Sequence, residues 1–142
     1  MAVVYANIGS NLGNKRALIE KAIDRIGDIF GFYCISEFVE SEPWGFDSTN
    51  SFLNVGVAFL SSLDPELILD KLQQIEKEIS KVPHRDAFGH YCDREIDIDI
   101  MAIDKLKYDS PRLRLPHPHL NEREFFLIPL DQLKVEPNVS PA

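Results

Sequence analysis

The sequence is poor in cysteine and contains no long apolar run. Its two cysteines, Cys34 and Cys92, lack the spacing of a zinc site and are too few for a disulfide framework. We therefore expect a reducing, cytoplasmic environment. No run approaches the roughly eighteen apolar residues of a membrane span, and the N-terminus lacks the charged-then-apolar order of a signal peptide. We expect no membrane partner.

Basic residues are also in deficit. The chain has 15 Lys and Arg against 23 Asp and Glu, which gives a formal net charge of −8. A nucleic-acid-binding protein would normally have a basic face, so we expect no nucleic-acid partner. The apolar fraction of 44% and the charged fraction of 27% are ordinary for a globular protein. At this length we expect a single domain over residues 1–142.

An acidic stretch with regular alternation, Arg94–Ile100, predicts a strand that continues to about Ile103. Because side chains alternate along a strand, its isoleucines would face a core and its acidic residues the opposite face. Asp97 and Asp99 would lie roughly 6–7 Å apart, since a strand rises about 3.3 Å per residue. Such a pair suits Mg²⁺, which takes its other ligands from water and substrate phosphates. A solvent-facing strand that is merely acidic explains the pattern equally well.

Apolar periodicity predicts the other elements. Strands are expected at residues 2–8, 32–40 and 51–60, and helices at residues 14–26, 64–80 and 124–133. The first six elements, with the acidic strand as the last, follow the β-α-β-β-α-β order of a ferredoxin-like sandwich. This α+β fold has an antiparallel sheet with helices on one face. We expect the site on the other face, with Phe52, Asn54, Asp97 and Asp99.

Several polar or aromatic residues allow two interpretations. Phe52 and Asn54 point away from the predicted core and would suit a flat heterocycle, although exposed single residues are normal. Trp44 either covers a ligand or anchors its own loop. Gln73 and Glu76 are predicted to form a hydrogen-bonded pair on the surface of the second helix.

A loop rich in proline, histidine and arginine, residues 112–123, also allows more than one interpretation. Its two histidines, His117 and His119, could ligate a metal, but no cysteine or third histidine lies at a helpful distance. Arg112, Arg114 and Arg123 crowd beside them, which favours a loop that donates hydrogen bonds to phosphate. A solvated basic patch is the alternative.

Seven short motifs span nearly the whole chain: Ile8–Leu12 (IGSNL), Ser41–Gly45 (SEPWG), Phe52–Asn54 (FLN), Gln73 with Ile75 and Glu76, Arg94–Ile100, Leu115–His117, and Arg123 with Phe125. In this order they resemble the 6-hydroxymethyl-7,8-dihydropterin pyrophosphokinase family of the folate pathway. The resemblance implies a ferredoxin-like fold and transfer of pyrophosphate from ATP to a pterin, with AMP leaving. It also implies a monomer acting on small-molecule substrates.

The resemblance further assigns a role to individual residues. Asp97 and Asp99 look like the ligands of two Mg²⁺ ions that bind the ATP phosphates. Asn54 looks like the residue that recognises the edge of the pterin, between the rings of Phe52 and Phe125. The remaining residues of the pterin site would be Ser41, Pro43 and Trp44. The residues that contact ATP would be Gln73, Glu76, Arg94, Ile100, Arg112, His117 and Arg123, with Arg94 also acting in catalysis.

The sequence departs from the family at the end of the second helix. Members usually carry Gly-Arg-x-Arg, where this chain has residues 80–83, Ser-Lys-Val-Pro. Lys81 is the expected catalytic cation of this loop, although lysine lacks the planar fork of arginine. His84 and Arg85 are the alternatives. A weak or inactive homologue that binds ATP and pterin is therefore the second functional hypothesis, and a palm-like nucleotidyl transferase is the third.

Overall fold

The computed structural model describes residues 1–42, 51–80 and 95–120, and in addition Arg123, Phe126, Pro129, Leu130, Gln132 and Leu133. The elements in these ranges are, in chain order, β1 (Ala2–Ser10), α1 (Lys15–Phe30), β2 (Tyr33–Ile35), β3 (Val39–Ser41), β4 (Phe52–Ser61), α2 (Pro65–Ile79), β5 (Asp97–Ile103), β6 (Tyr108–Asp109) and β7 (Arg114–Leu115). No helix among the described residues is long and apolar enough to cross a membrane.

One antiparallel sheet has the strand order β2-β4-β1-β5, and β3 also pairs with β4. If β2 and β3 are counted as one strand, this is the order of the ferredoxin-like sandwich, and the predicted fold is confirmed. The single strand predicted at residues 32–40 is divided in two. Between the two parts, the Ser36 hydroxyl accepts a hydrogen bond from the Gly56 amide at 2.8 Å, and the Ser36 amide donates to the Gly56 carbonyl at 2.9 Å.

Both long helices begin where the sequence predicts. The Asn14 side chain caps α1 by accepting from the Ala17 amide at 3.3 Å, and Pro65 opens α2. The predicted end of α1 near Ile26 is wrong, since the helix continues to Phe30. Gly27 lies inside the helix, where the absence of a side chain admits the ring of Tyr33; a Cβ would lie 2.9 Å from it.

The main core lies between the two helices and one face of the sheet. Its largest buried side chains from the helices are Ile19, Ile26, Ile68, Leu72 and Ile75. Ile96, Ile98 and Ile100 pack in the same core, so the predicted alternation of the acidic stretch is confirmed. The strand itself begins at Asp97, three positions later than predicted, and Arg94 lies outside the described residues.

The second face of the sheet is covered at one end and open at the other. Eight residues form a separate apolar cluster on the covered end: Val3, Tyr5, Ala58, Met101, Ala102, Phe126, Leu130 and Leu133. The last three lie in the segment predicted as a short helix, and they are helical. Among the described residues, this segment therefore covers one end of the face and leaves the other end open for a site.

A β-bulge in β5 makes the covered end possible. Tyr5 pairs with Ala102 but Ala6 pairs with Ile100, so Met101 is an extra residue in β5. If Met101 and Ala102 both paired with β1 in regular register, strict alternation would turn Ala102 towards the helices. Because the bulge interrupts the alternation, Met101 and Ala102 both join the second cluster, and Ile103 returns to the main core.

Candidate active site

The open end of the second face forms the floor of a cavity of about 520 Å³. Across the sheet, Gly9 of β1 pairs with Asn54 on one side and with Asp97 on the other. In the next row, Asn7 pairs with Asp99. Adjacent strands lie about 4.8 Å apart, so the amide and the carboxylates lie roughly 10 Å apart with β1 between them.

Gly9 keeps the middle of this floor low. A Cβ at this position would lie 3.0 Å from the Asn54 Oδ1 atom and 3.5 Å from the Phe52 ring. Any larger side chain would have to enter the space above β1. Glycine therefore leaves room for a flat ligand that extends from Asn54 towards the aspartates.

Hydrogen bonds fix the Asn54 amide. Its Nδ2 atom donates to the Val39 carbonyl at 3.1 Å and to the Ser41 hydroxyl at 2.8 Å, and its Oδ1 atom accepts from Asn7 Nδ2 at 3.4 Å. Phe52 lies half-buried beside it, on the same face of β4. Three predicted pterin residues, Ser41, Phe52 and Asn54, are thus neighbours.

An arginine stands next to the acidic pair. The Arg123 side chain is only 10% exposed, and its Nη1 atom lies 3.9 Å from Asp99 Oδ2. Its guanidinium also lies over the ring of Phe126, with 4.9 Å between Cζ and the ring centre. The cavity therefore places a held positive charge beside two half-exposed carboxylates.

The carboxylates of Asp97 and Asp99 fit Mg²⁺. They lie on one face of β5 and line the cavity. Within the described part of the chain, no group of three or more His, Cys, Asp and Glu could hold a metal by itself. Mg²⁺ is usually bound by one or two carboxylates, with water and substrate phosphates as its other ligands, so this donor set suits it.

Glu76 is turned towards the sheet and is only 8% exposed. Its Oε2 atom accepts a hydrogen bond from the Ile98 amide at 2.7 Å. Among the described strands β5 has a neighbour on one side only, and on its other side this carboxyl takes the place of a strand. Burial, and then the nearby Asp97 carboxylate, raises the pKa of Glu76 to about 9.

The predicted surface pair of Gln73 and Glu76 is therefore wrong. The Gln73 Oε1 atom instead accepts from Arg112 at 3.2 Å. Leu69, Leu72, Glu76 and Ile79 follow the spacing of one buried helix face, and all four are buried. That spacing was the available signal, because it places position 76 inside the apolar stripe.

Glu76 should make the stability of the apoprotein depend on pH. A raised pKa means that the folded state holds the proton more tightly than the unfolded chain. The resulting stability is complete below about pH 4.5 and is lost as the pH rises through about 9. Between pH 7 and 9 we expect the free energy of unfolding to fall by at most about 1.4 kcal/mol per pH unit. Urea unfolding at a series of fixed pH values measures this free energy.

The variant Glu76→Gln should flatten this dependence, since glutamine cannot ionise but can still accept from Ile98. Glu78→Gln is the matched control on the same helix, because Glu78 is partly exposed and pairs with Arg25 at 2.9 Å. The control should keep the slope of the parent protein. Equal slopes for Glu76→Gln and the parent would show that another group carries the dependence.

Arg112 is held at the mouth of the cavity by α2. Its guanidinium contacts Glu66, Asp70 and Gln73. Hydrogen bonds from Ser110 and then Tyr108 lower the pKa of Glu66 and tie it to the β6–β7 hairpin. These contacts hold the planar, positively charged guanidinium of Arg112 beside the cavity.

His117 is a neutral hydrogen-bond donor. Burial, and then the charge of Arg123, lowers its pKa to about 4. Its Nδ1 atom accepts from the His119 amide at 3.1 Å, which places the ring proton on Nε2. The imidazole lies edge-on to the Phe126 ring, with 4.9 Å between the ring centres. The predicted phosphate-donating loop therefore offers an N–H group at this position without a charge.

Ten of the predicted site residues line this one cavity: Phe52, Asn54, Gln73, Glu76, Asp97, Asp99, Ile100, Arg112, His117 and Arg123. Ser41 contacts it through Asn54. Five others lie outside the described residues, namely Pro43, Trp44, Lys81, Arg94 and Phe125, as do the alternatives His84 and Arg85. The sequence prediction missed Asn7, which also lines the cavity. The available signal was an amide side chain within a mostly apolar strand.

This chain is similar to known proteins over nearly its whole length. A family model described as 7,8-dihydro-6-hydroxymethylpterin-pyrophosphokinase (HPPK) matches residues 5–135. A Porphyromonas gingivalis protein named 2-amino-4-hydroxy-6-hydroxymethyldihydropteridine pyrophosphokinase is 42% identical over 135 residues, which are 94% of this chain and 91% of that protein. An Aquifex aeolicus protein of the same name is 39% identical over 139 residues, covering 98% and 83%.

The fold is similar to that of a protein solved as a crystal structure of HPPK-DHPS in complex with substrates. The TM-score is 0.65 at 12% sequence identity. The match covers 93% of this chain and 40% of that one. At this identity the likeness concerns the fold alone.

Proposed function

Because the chain belongs to the 7,8-dihydro-6-hydroxymethylpterin-pyrophosphokinase family, we propose that it transfers pyrophosphate from ATP to 6-hydroxymethyl-7,8-dihydropterin in folate biosynthesis. One observation supports the assignment most strongly. A single cavity joins Asn54 and Phe52, which suit a heterocycle, to Asp97 and Asp99, which suit the metal-bound phosphates of a nucleotide.

In the proposed reaction the hydroxymethyl oxygen of the pterin attacks the β-phosphorus of ATP. The bond between that phosphorus and the oxygen bridging to the α-phosphate breaks, AMP leaves, and the hydroxymethyl group loses its proton. Such a transfer requires mainly positioning and neutralisation of charge. Asp97 and Asp99 would hold two Mg²⁺ ions, which neutralise phosphate charge when bound.

The basic side of the cavity is proposed to bind ATP. Arg123 supplies a charge beside Asp99, Arg112 supplies a second one at the mouth, and His117 donates through Nε2. Gln73 and Ile100 line the same side. Arg94 and Lys81 are proposed to complete the residues that act on ATP. Pro43, Trp44 and Phe125 are proposed to complete the pterin site.

The experiment that tests this function combines the protein with ATP, Mg²⁺ and 6-hydroxymethyl-7,8-dihydropterin. We expect AMP and the pterin pyrophosphate to form in equal amounts, and only when all three components are present. Binding of both substrates without AMP would instead identify the inactive homologue. Omission of Mg²⁺, with EDTA added, is the matched control for metal dependence.

Asn54→Ala should weaken pterin binding about tenfold to a hundredfold, since truncating a hydrogen-bonding group in a buried site removes both the bond and its geometry. ATP affinity should change little, because Asn54 lies roughly 10 Å across the floor from Asp97. The variant should also melt earlier, since it loses the links to Val39 and Ser41. Calorimetry with each substrate measures it. Equal losses for both substrates would assign Asn54 to structure only.

Three further properties complete the proposal. We propose one catalytic domain over residues 1–142. We propose a monomer, and size-exclusion chromatography checks it. A cytoplasmic location is supported by Cys34, which is a free thiol in the structure.

A further inference from the structure

Asn7 is a buried amide in the middle of the sheet. Its residue is only 3% exposed, and its neighbours on the two adjacent strands are Gly56 and Asp99. The rest of β1 is mostly apolar, so packing alone would favour an apolar side chain here. A buried polar group normally has hydrogen-bond partners. Asn7 lines the cavity, which suggests where its partner belongs.

The orientation of the Asn7 amide follows from that of Asn54. The Val39 carbonyl can only accept, so the atom of Asn54 that faces it must be Nδ2. The Oδ1 atom of Asn54 then faces β1, where it accepts from Asn7 Nδ2 at 3.4 Å. Asn7 must therefore direct its own Oδ1 atom elsewhere.

The Oδ1 atom of Asn7 has no hydrogen-bond partner among the described residues, although it is fully buried. An amide oxygen is only an acceptor, so the missing partner must carry a donor. Asn7 also stands beside Asp99, another acceptor. Asn7 lines the cavity, so a donor belonging to a ligand there would satisfy this oxygen after a small movement of the side chain.

The position of Asn7 identifies that donor if the proposed function is correct. A pterin bound at Asn54 must extend its hydroxymethyl group across β1 to reach phosphates held at Asp99 and Asp97. Gly9 leaves the space above β1 open for this path. The part of the substrate next to Asn7 is then the hydroxymethyl end, and its O–H group is a donor.

We propose that Asn7 is a substrate-binding residue that accepts a hydrogen bond from the hydroxymethyl O–H of the pterin. The inference rests on the proposed function. With its proton directed at Asn7, the hydroxyl presents a lone pair towards the phosphates. Nδ2 of the same side chain supports Asn54, so one amide links recognition of the ring to placement of the attacking oxygen.

The test compares two ligands, 6-hydroxymethyl-7,8-dihydropterin and 6-methyl-7,8-dihydropterin, which lacks the hydroxyl. Calorimetry is done on the protein saturated with Mg²⁺ and α,β-methylene-ATP, whose α–β link cannot be cleaved. For Asn7→Ala we expect the loss of affinity for the hydroxymethyl ligand to exceed the loss for the methyl ligand about tenfold. Both ligands should lose some affinity, and the melting temperature without ligand should fall, because Asn54 Oδ1 loses the hydrogen bond from Asn7 Nδ2.

Asn7→Ser is the second variant, because its hydroxyl is too short to replace the amide but keeps polarity if alanine disturbs folding. Asn14→Ala is the matched control, since Asn14 is an exposed cap of α1. The control should lower the melting temperature without changing the preference between the two pterins. Equal losses for both pterins, or no loss, in the Asn7 variants would overturn the proposal. A parent protein that binds neither pterin would overturn the proposed function itself.

Discussion

Asp97→Ala and Asp99→Ala are each expected to lower kcat by at least about 10³-fold while the protein remains folded. Each removes one of two carboxylates that face the cavity from β5. Losing a single preorganised charge-stabilising group typically costs about 10²–10³ in rate, and a lost ligand removes the charge of the bound metal as well. Steady-state kinetics with ATP and the pterin measure the effect.

Stability gives an independent measurement for these variants. Mg²⁺ and ATP should raise the melting temperature of the parent protein, because a ligand that binds only the folded state stabilises it. The aspartate variants should lose most of that increase. Without ligands, Asp97→Ala should also lower the pKa of Glu76, since the neighbouring carboxylate is one cause of its elevation.

Asp109→Ala is the control for a lost carboxylate outside the cavity. Asp109 is exposed and contacts Arg114 at 3.4 Å. Exposed ion pairs contribute little, so this variant should keep the rate and the metal-dependent stabilisation of the parent. Retained turnover in both Asp97→Ala and Asp99→Ala, with a large loss of melting temperature, would make these aspartates structural.

Arg123→Ala is expected to lower kcat about 10²–10³-fold, the typical cost of removing one donor aimed at developing charge. The side chain is nearly buried and is oriented by Asp99 and by the Phe126 ring, so little reorganisation is needed when phosphate binds. Arg123→Lys keeps the charge but loses the planar fork, and an intermediate rate is expected. Single-turnover kinetics separate the chemical step from product release.

The lysine variant and a control on the helical face separate catalysis from structure for Arg123. Loss of the guanidinium also removes a positive charge beside Asp99, so some loss of stability in the alanine variant is expected. Arg25→Ala is the control, since Arg25 pairs with Glu78 and Asp28 on the helical face. If the lysine variant recovers stability and reaches the rate of the parent protein, the fork is not required and Arg123 acts only as a charge.

Local periodicity explains what the sequence could predict. Alternation along a strand is a property of neighbouring residues, so it correctly separated Asp97 and Asp99 from the buried isoleucines. The order of elements correctly predicted the sandwich. The structure brings Phe52, Asn54 and Arg123 of the composite motif to one cavity, and their roles there stay a prediction.

Non-local contacts explain what the sequence could not predict. The helical spacing indicated that position 76 is buried, but it could not indicate the partner of the carboxyl, because the Ile98 amide is 22 residues away. That amide uses a side-chain acceptor because β5 pairs with β1 alone among the described strands. Asn7 was missed for a similar reason. Its hydrogen-bond partner Asn54 is 47 residues away, and the Val39 carbonyl sets the orientation of the Asn54 amide.

The bulge at Met101 has a consequence for how the gene can change. Loss of the single codon that supplies the extra residue would restore strict alternation, so Asp97 and Asp99 would still face the cavity and Ile103 the core. Loss of a further codon in β5 would instead reverse the facing of every residue on one side of the gap. We therefore expect relatives to tolerate a strand that is one residue shorter at position 101, and other insertions or deletions to fall beyond Ile103, in the turn at residues 104–105.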